Sequence, residues 1–256
     1  MAEKHILITA GGTGGHIYPS MAVARRLRTM GREDVKVRFV GPRSPFTRDF
    51  NEMGISVHSV IPAKLRRYLS AQNIIDIPKF LLSIVQMLVK MYFFMPDAVF
   101  SKGGPGTLAV VLAARFYRIP VIIHETDSVP SLNTRLAARF ARRIGVSFKS
   151  TASYFPKSKV FVSGNPIRPE LLANIPTAEQ ARAHFSLEPN TPVILVLGGS
   201  QGAQPINAFI ADNLQKIIQN CQLIHQVGER NYNGEQQRKF YRYHPVPSFD
   251  VTGLKY

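Results

Sequence analysis

The chain has 256 residues, 45% of them apolar and only one a cysteine, which is ample for one large or two modest cores and excludes both disorder and an intramolecular disulfide framework. Its formal net charge of +16 is uneven, with 24 Lys and Arg against 9 Asp and Glu in residues 1–160 and 8 against 7 in the remainder. Such an excess serves solubility or an acidic partner: nucleic acid, an anionic bilayer or a phosphorylated substrate.

Taken in order, Met1 leads at once into an apolar strand, Ile6–Ala10, so no cleavable leader is expected and the protein is expected in the cytosol. The glycine turn GGTGGH, Gly11 to His16, follows, and then a helix expected over 19–30, with Pro19 at its start and Gly31 just past its end. On that helix Val23, Leu27 and Met30 share a face. Short apolar runs predict further strands at Val35–Val40, Ser56–Val60, Ala98–Ser101, Val121–His124, Ile144–Val146 and Val160–Ser163. Helical patterns separate them, as a parallel sheet requires. In one of these helices Leu132, Leu136 and Phe140 are expected inward, with Arg135, Arg139 and Arg142 forming a basic stripe.

Between the third and fourth strands lies an apolar stretch whose uncharged run, Phe80 to Val89, has 10 residues, flanked by Lys79 and Lys90. That is too short to span a bilayer, which takes about 20 apolar residues. Yet Phe80, Leu81, Ile84, Val85 and Leu88 fill one face while Leu82, Met87, Val89 and Phe93 fill another, more than one core can use. With Lys64, Arg66 and Arg67 just before it, the segment reads either as an interfacial membrane patch or as an ordinary buried helix.

The segment GNPIRPELL, residues 164–172, carries two prolines and breaks the alternation. It divides the chain into residues 1–163, a hinge over 164–176, and a second unit over 177–256. That unit begins with Val193–Leu197 and the turn GGSQGA, followed by a helix bearing Ile206, Phe209, Ile210, Leu214 and Ile217 and by a strand over 222–227, which Cys221, read as a small buried residue, opens. Room remains for only two or three strands, so the second unit is expected to be incomplete.

The fold class expected is therefore α/β, two Rossmann-like units each built around a glycine turn that presents backbone N–H groups and a helix N-terminus to an anion. The first turn does not match a nicotinamide fingerprint: Ile17 stands at the third glycine position and Gly41 where an acid should end the second strand. Nor does either turn close with Gly-Lys-Ser or Gly-Lys-Thr. No zinc-finger spacing, aromatic RNA motif or basic heptad array supports nucleic acid as the partner.

The ordered set ILITAGGTGGHIYPSMAVA, SKGG, IPVIIHE, GNPIRPEL and ILVLGGSQGAQPIN resembles the MurG family, glycosyltransferases of GT-B fold. The resemblance implies two Rossmann-like domains facing a cleft, the second incomplete here, and an inverting transfer without metal or other cofactor. The donor would be UDP-N-acetylglucosamine and the acceptor undecaprenyl-diphospho-N-acetylmuramoyl-pentapeptide, handled at the cytoplasmic face of the bacterial membrane by a peripheral enzyme of peptidoglycan synthesis. His16 is the candidate base for the acceptor hydroxyl. Thr13, Gly14, Gly15, Asp127, Arg168 and Ser200 are candidates for the donor and its diphosphate, while Gly11, Gly12, Gly103 and Gly104 form the glycine loops toward the acceptor. Lys64, Arg66, Arg67, Lys79, Phe80 and Leu81 are the membrane candidates. The chain departs from the family in reading His124, Glu125, Thr126, Asp127 where many relatives have His-Glu-Gln-Asn, and in placing Pro105 after Gly103 and Gly104. A GT-B enzyme acting on another lipid acceptor, such as diacylglycerol, and a nonenzymatic basic binding protein are the alternatives.

Overall fold

A computed structural model describes residues 3–30, 35–62, 72–199, 202–233 and 240–249. By its internal contacts the chain divides into two units, residues 1–168 and 169–256.

Among the described residues the first unit forms an all-parallel seven-stranded sheet. Its elements in order are β1 (Lys4–Thr9), α1 (Gly14–Thr29), β2 (Val35–Gly41), α2 (Arg48–Glu52), β3 (Ser56–Ser59), α3 (Gln72–Phe94), β4 (Ala98–Ser101), α4 (Thr107–Phe116), β5 (Val121–Glu125), α5 (Leu132–Phe140), β6 (Arg143–Val146) and β7 (Val160–Val162). The strands lie in the order β3-β2-β1-β4-β5-β6-β7. From β1 the chain winds outward through β2 to β3, then returns past its start to β4 and winds the other way. This reversal splits the core in two. Ile8, Ile17, Met21, Phe39 and Phe50 pack under α1 and α2, whereas Leu7, Met87, Met91, Val99, Val110 and Ile144 pack with α3, α4 and α5. Leu7 and Ile8, adjacent on β1, point to opposite cores, so the central strand is apolar throughout.

Several expectations need correction. Helix α1 begins at Gly14, five residues before Pro19, and Pro19 lies inside it. The missing N–H of Pro19 costs a hydrogen bond only in the second turn, and the Ser20 hydroxyl donates to the carbonyl of His16 at 2.8 Å. The buried face of α1 is Ile17, Met21 and Ala24, with Met30 exposed. In α5 the buried residues are Thr134, Ala137 and Ala138, and Phe140 is exposed. The faces of α3 are also redrawn. Ser83, Met87 and Met91 are fully buried, with Phe80, Ile84 and Leu88 packed beside them, while Leu81, Leu82, Val85, Val89, Tyr92 and Phe93 are exposed. Met87 thus belongs to the core and Leu81 and Val85 to the surface. By length and composition, the 19 residues Asp76–Phe94 would suffice to cross a membrane, more than the ten-residue uncharged run suggests. One side of this helix is nevertheless built into the core of the sheet.

The second unit contains α6 (Ala178–His184), β8 (Val193–Leu197), α7 (Gln204–Ile218), β9 (Gln222–Gln226) and β10 (Tyr243–Val246). Thr177 opens α6 with a capping box in which its hydroxyl accepts from the Gln180 N–H and the Gln180 side chain accepts from the Thr177 N–H. The strands form a parallel sheet ordered β10-β9-β8. Ile210 and Leu214 of α7 pack on Leu223 and Tyr243, whereas Phe209 is exposed. Every residue of the central β9 is buried, but Leu195 of β8 is 54% exposed. Strand β10 was hidden in the sequence by Pro245. Among the described residues β10 pairs with β9 alone, at the edge of the sheet, where a strand tolerates a residue without an N–H.

Candidate functional site

In a doubly wound sheet, ligands bind beyond the carboxyl ends of the strands where the winding reverses. That point here is between β1 and β4, and the two glycine turns of the first unit leave from those two strands. The N–H of Lys102 donates to the carbonyl of Thr9 at 2.8 Å, and the N–H of Gly11 donates to the carbonyl of Gly103 at 2.7 Å. The turns are thereby tied into one wall.

His16 sits in this wall. A Cβ placed on Gly104 would lie 2.4 Å from His16 Cδ2 and 2.7 Å from the Cα of Gly11, and one on Gly11 would lie 2.9 Å from His16 Cδ2. Only glycine lets the two turns and the imidazole meet. His16 Nδ1 lies 3.5 Å from the Thr13 hydroxyl. Burial holds its pKa below the ordinary imidazole value, and Lys102 pushes it further down, against the opposing pull of Asp127 and Glu125. The ring is therefore neutral near pH 7 and can accept a proton.

The start of α1 offers N–H groups. Thr13 is the N-cap residue but makes no side-chain capping bond, so the first N–H groups of the helix, those of Gly14 and Gly15, are not taken up by it. A Cβ on Gly15 would meet nothing within 4 Å. Gly12 is held from the other side, its carbonyl accepting from the Ser44 hydroxyl at 2.7 Å.

The segment after β5 brings the charges. The buried carboxylate of Glu125 accepts from the N–H groups of Asp127 at 3.1 Å and Ser131 at 3.3 Å. This folds the chain so that Asp127 stands exposed at the rim. His124 points elsewhere: its Nε2 donates to the Gly164 carbonyl at 3.0 Å and lies 3.1 Å from the Ser163 hydroxyl. Burial lowers its pKa. His124 Nδ1 and Asn133 Oδ1 are buried without a hydrogen-bond partner, and both residues line a small recess with Ser101, Gly103, Thr107 and Thr134.

Of the residues expected from sequence, His16, Gly11, Gly103 and Gly104 come together, with Thr13, Gly14 and Gly15 adjoining on α1 and Asp127 near enough to act on the charge of His16. The Arg168 guanidinium lies 4.3 Å over the ring of Tyr18, on the same helix. Ser200, Lys64, Arg66 and Arg67 lie outside the described residues. Lys79 and Leu81 are exposed on α3, whereas Phe80 packs against the core. Two buried charged residues, Lys102 and Glu125, were not singled out beforehand. Among the described residues no cluster of three or more His, Cys, Asp and Glu is arranged to hold a metal.

Residues 6–146 match the glycosyltransferase family 28 N-terminal domain and residues 193–254 its C-terminal domain. A UDP-N-acetylglucosamine--N-acetylmuramyl-(pentapeptide) pyrophosphoryl-undecaprenol N-acetylglucosamine transferase of Treponema denticola is 38% identical over 248 residues, 92% of this chain and 62% of the relative. One of the same name from Shouchella clausii is 37% identical over 245 residues, 94% of this chain and 68% of the relative. The chain thus spans about two thirds of the length of the relatives it matches. Among solved structures, MurG of Acinetobacter baumannii shares the fold with a TM-score of 0.66 at 24% identity, over 98% of this chain and 70% of that one. UDP-GlcNAc 2-epimerase of Neisseria meningitidis does so with a TM-score of 0.64 at 18% identity, over 98% and 74%. With the first-unit match alone covering more than half of its residues, the chain belongs to glycosyltransferase family 28.

Proposed function

We propose that the protein transfers N-acetylglucosamine from UDP-N-acetylglucosamine to a polyprenyl-diphospho-N-acetylmuramoyl-pentapeptide, the reaction named in its relatives. The observation that carries this reading is the imidazole of His16, lodged between two glycine turns at the point where the sheet reverses, where burial lowers its pKa. The attacking acceptor hydroxyl must lose a proton as it bonds to the anomeric carbon, and His16 takes it. As the sugar leaves UDP, charge grows on the diphosphate. Helix N–H groups at Gly14 and Gly15, together with Arg168 and Ser200, are the groups that meet it without a metal. Asp127 accepts from sugar hydroxyls but, unlike an amide, cannot donate to them. Transfer of labelled N-acetylglucosamine to a lipid-linked N-acetylmuramoyl acceptor, with no transfer to diacylglycerol, is the expected result. The reverse preference would favour a different lipid acceptor.

The exposed side of α3 supports peripheral attachment to the cytoplasmic face of the membrane, and so a cytoplasmic, lipid-facing enzyme of cell-wall synthesis. Leu81, Leu82, Val85, Val89 and Phe93 form an apolar stripe on a helix whose other side is locked into the sheet. In a first unit so rich in Lys and Arg, an apolar stripe would be held at an anionic bilayer by both insertion and charge. Flotation with anionic liposomes should show binding that weakens with salt. Leu81→Ser with Phe93→Ser should weaken it further at every salt concentration while leaving the fold intact, because neither side chain packs in the core. Absence of binding at low salt would remove the membrane from the reading.

A further inference from the structure

A lysine in a glycine-rich turn ordinarily reaches into solvent, but Lys102 is only 3% exposed. It directly precedes the Gly103–Gly104 turn on which the His16 ring rests, and its main chain is anchored to β1 through Thr9. Its Nζ donates to the Thr126 hydroxyl at 3.0 Å. Within the segment after β5, Glu125 and Asp127 flank that threonine in sequence. Neither carboxylate forms a contact ion pair with Lys102; Glu125 is occupied by the N–H groups of Asp127 and Ser131. A buried cation held by a neutral hydroxyl, with no carboxylate in contact, retains its effect on neighbouring charge.

We propose that Lys102 is a positioning residue for the transfer reaction: its buried ammonium, pinned by Thr126 beside the glycine turns, keeps the His16 imidazole in its unprotonated, proton-accepting form. The inference rests on His16 being the base. The charged groups that act on His16 are Lys102 just after β4, Glu125 at the end of β5 and Asp127 beyond it, with the Thr13 hydroxyl on its own segment. Burial and Lys102 act in one direction on the imidazole, and the two carboxylates act in the other. The same carboxylates favour the charged form of Lys102 against its own burial. Burial is the larger influence on Lys102 and lowers its pKa from the ordinary amine value, against the pull of those carboxylates. A cation there also counters the two carboxylates, which favour the protonated imidazole.

The test is a histidine titration by nuclear magnetic resonance on the 256-residue chain, with the His16 signal assigned by its loss in His16→Gln. In Lys102→Met the His16 midpoint should move up toward the ordinary imidazole value. Asp127→Asn, at an exposed position, should move it down. Lys102→Gln, which keeps a hydrogen bond to Thr126 without the charge, should repeat the upward shift and covers the case in which the apolar variant does not fold. An unchanged or lowered midpoint in the Lys102 variants would overturn the proposal. The titration needs no substrate, so its failure is distinct from failure of the transferase reading. In the transfer assay the acidic limb of kcat/KM should shift to higher pH in Lys102→Gln, so that activity lost at low pH returns as pH is raised. A uniform loss across the whole profile would indicate a merely structural lysine and would also overturn it.

Discussion

Replacing His16 by alanine is expected to lower kcat by about 10²- to 10⁴-fold, the range in which a positioned general base contributes, with little change in affinity for the nucleotide sugar. The imidazole is the proton acceptor in this reading, whereas the N–H groups that hold the diphosphate belong to the backbone and survive the substitution. Stability should fall only slightly, because the ring lies against two glycine turns that close on each other through the Gly11 to Gly103 hydrogen bond whether or not the imidazole is present. The sign of the pH dependence follows from the cause of the shift. Burial and Lys102 lower the His16 pKa, and the base works only when unprotonated, so kcat/KM should fall as pH drops through a midpoint below the ordinary imidazole value of about 6.5. Steady-state kinetics over pH, together with the denaturation midpoint of the variant, separates the two roles. Turnover per folded molecule equal to that of the parent would make His16 a structural residue of the turn.

What the sequence made legible was whatever depends on short-range pattern. The strands of the first sheet follow from apolar runs too short for helices, and the two glycine turns announced themselves by residues that only a close approach requires. The start of α1 was misplaced because Pro19 is a good first-turn residue. The chain instead begins the helix at Gly14 and accommodates Pro19 inside it. The inner side of α3 could not be read because the helix is apolar nearly all round. Which residues are buried depends on what packs there, and the sheet takes Ser83, Met87 and Met91 while leaving Leu81 and Phe93 outside. Lys102 and Glu125 escaped notice for the same reason. Their importance comes from burial where two segments 23 residues apart in the chain meet, and a one-dimensional pattern carries no record of that.

The glycines of the site divide into two kinds, and substitution tells them apart. Gly104 has φ of +97° and its added Cβ would sit 2.4 Å from His16 Cδ2 and 2.7 Å from the Cα of Gly11. The backbone conformation alone should cost a non-glycine residue on the order of 1–3 kcal/mol. The contact with Gly11 adds to that, since two chains joined by the Gly11 N–H bond cannot part without breaking it. The imidazole is the softest neighbour and would swing away, so Gly104→Ala should lose both stability and nearly all turnover. Gly15 is the contrary case: it lies in α1, an added Cβ meets nothing within 4 Å, and alanine in a helix is favoured over glycine by up to about 1 kcal/mol. Gly15→Ala should therefore be as stable as the parent or more so. If its open space is where the diphosphate or sugar approaches the helix, the same substitution should raise KM for the nucleotide sugar. Urea denaturation and steady-state kinetics on the two variants give the comparison. A Gly15→Ala enzyme with both higher stability and unchanged KM would show that the space beside Gly15 is not used by substrate, and would confine the diphosphate to Arg168, Ser200 and the remaining N–H groups.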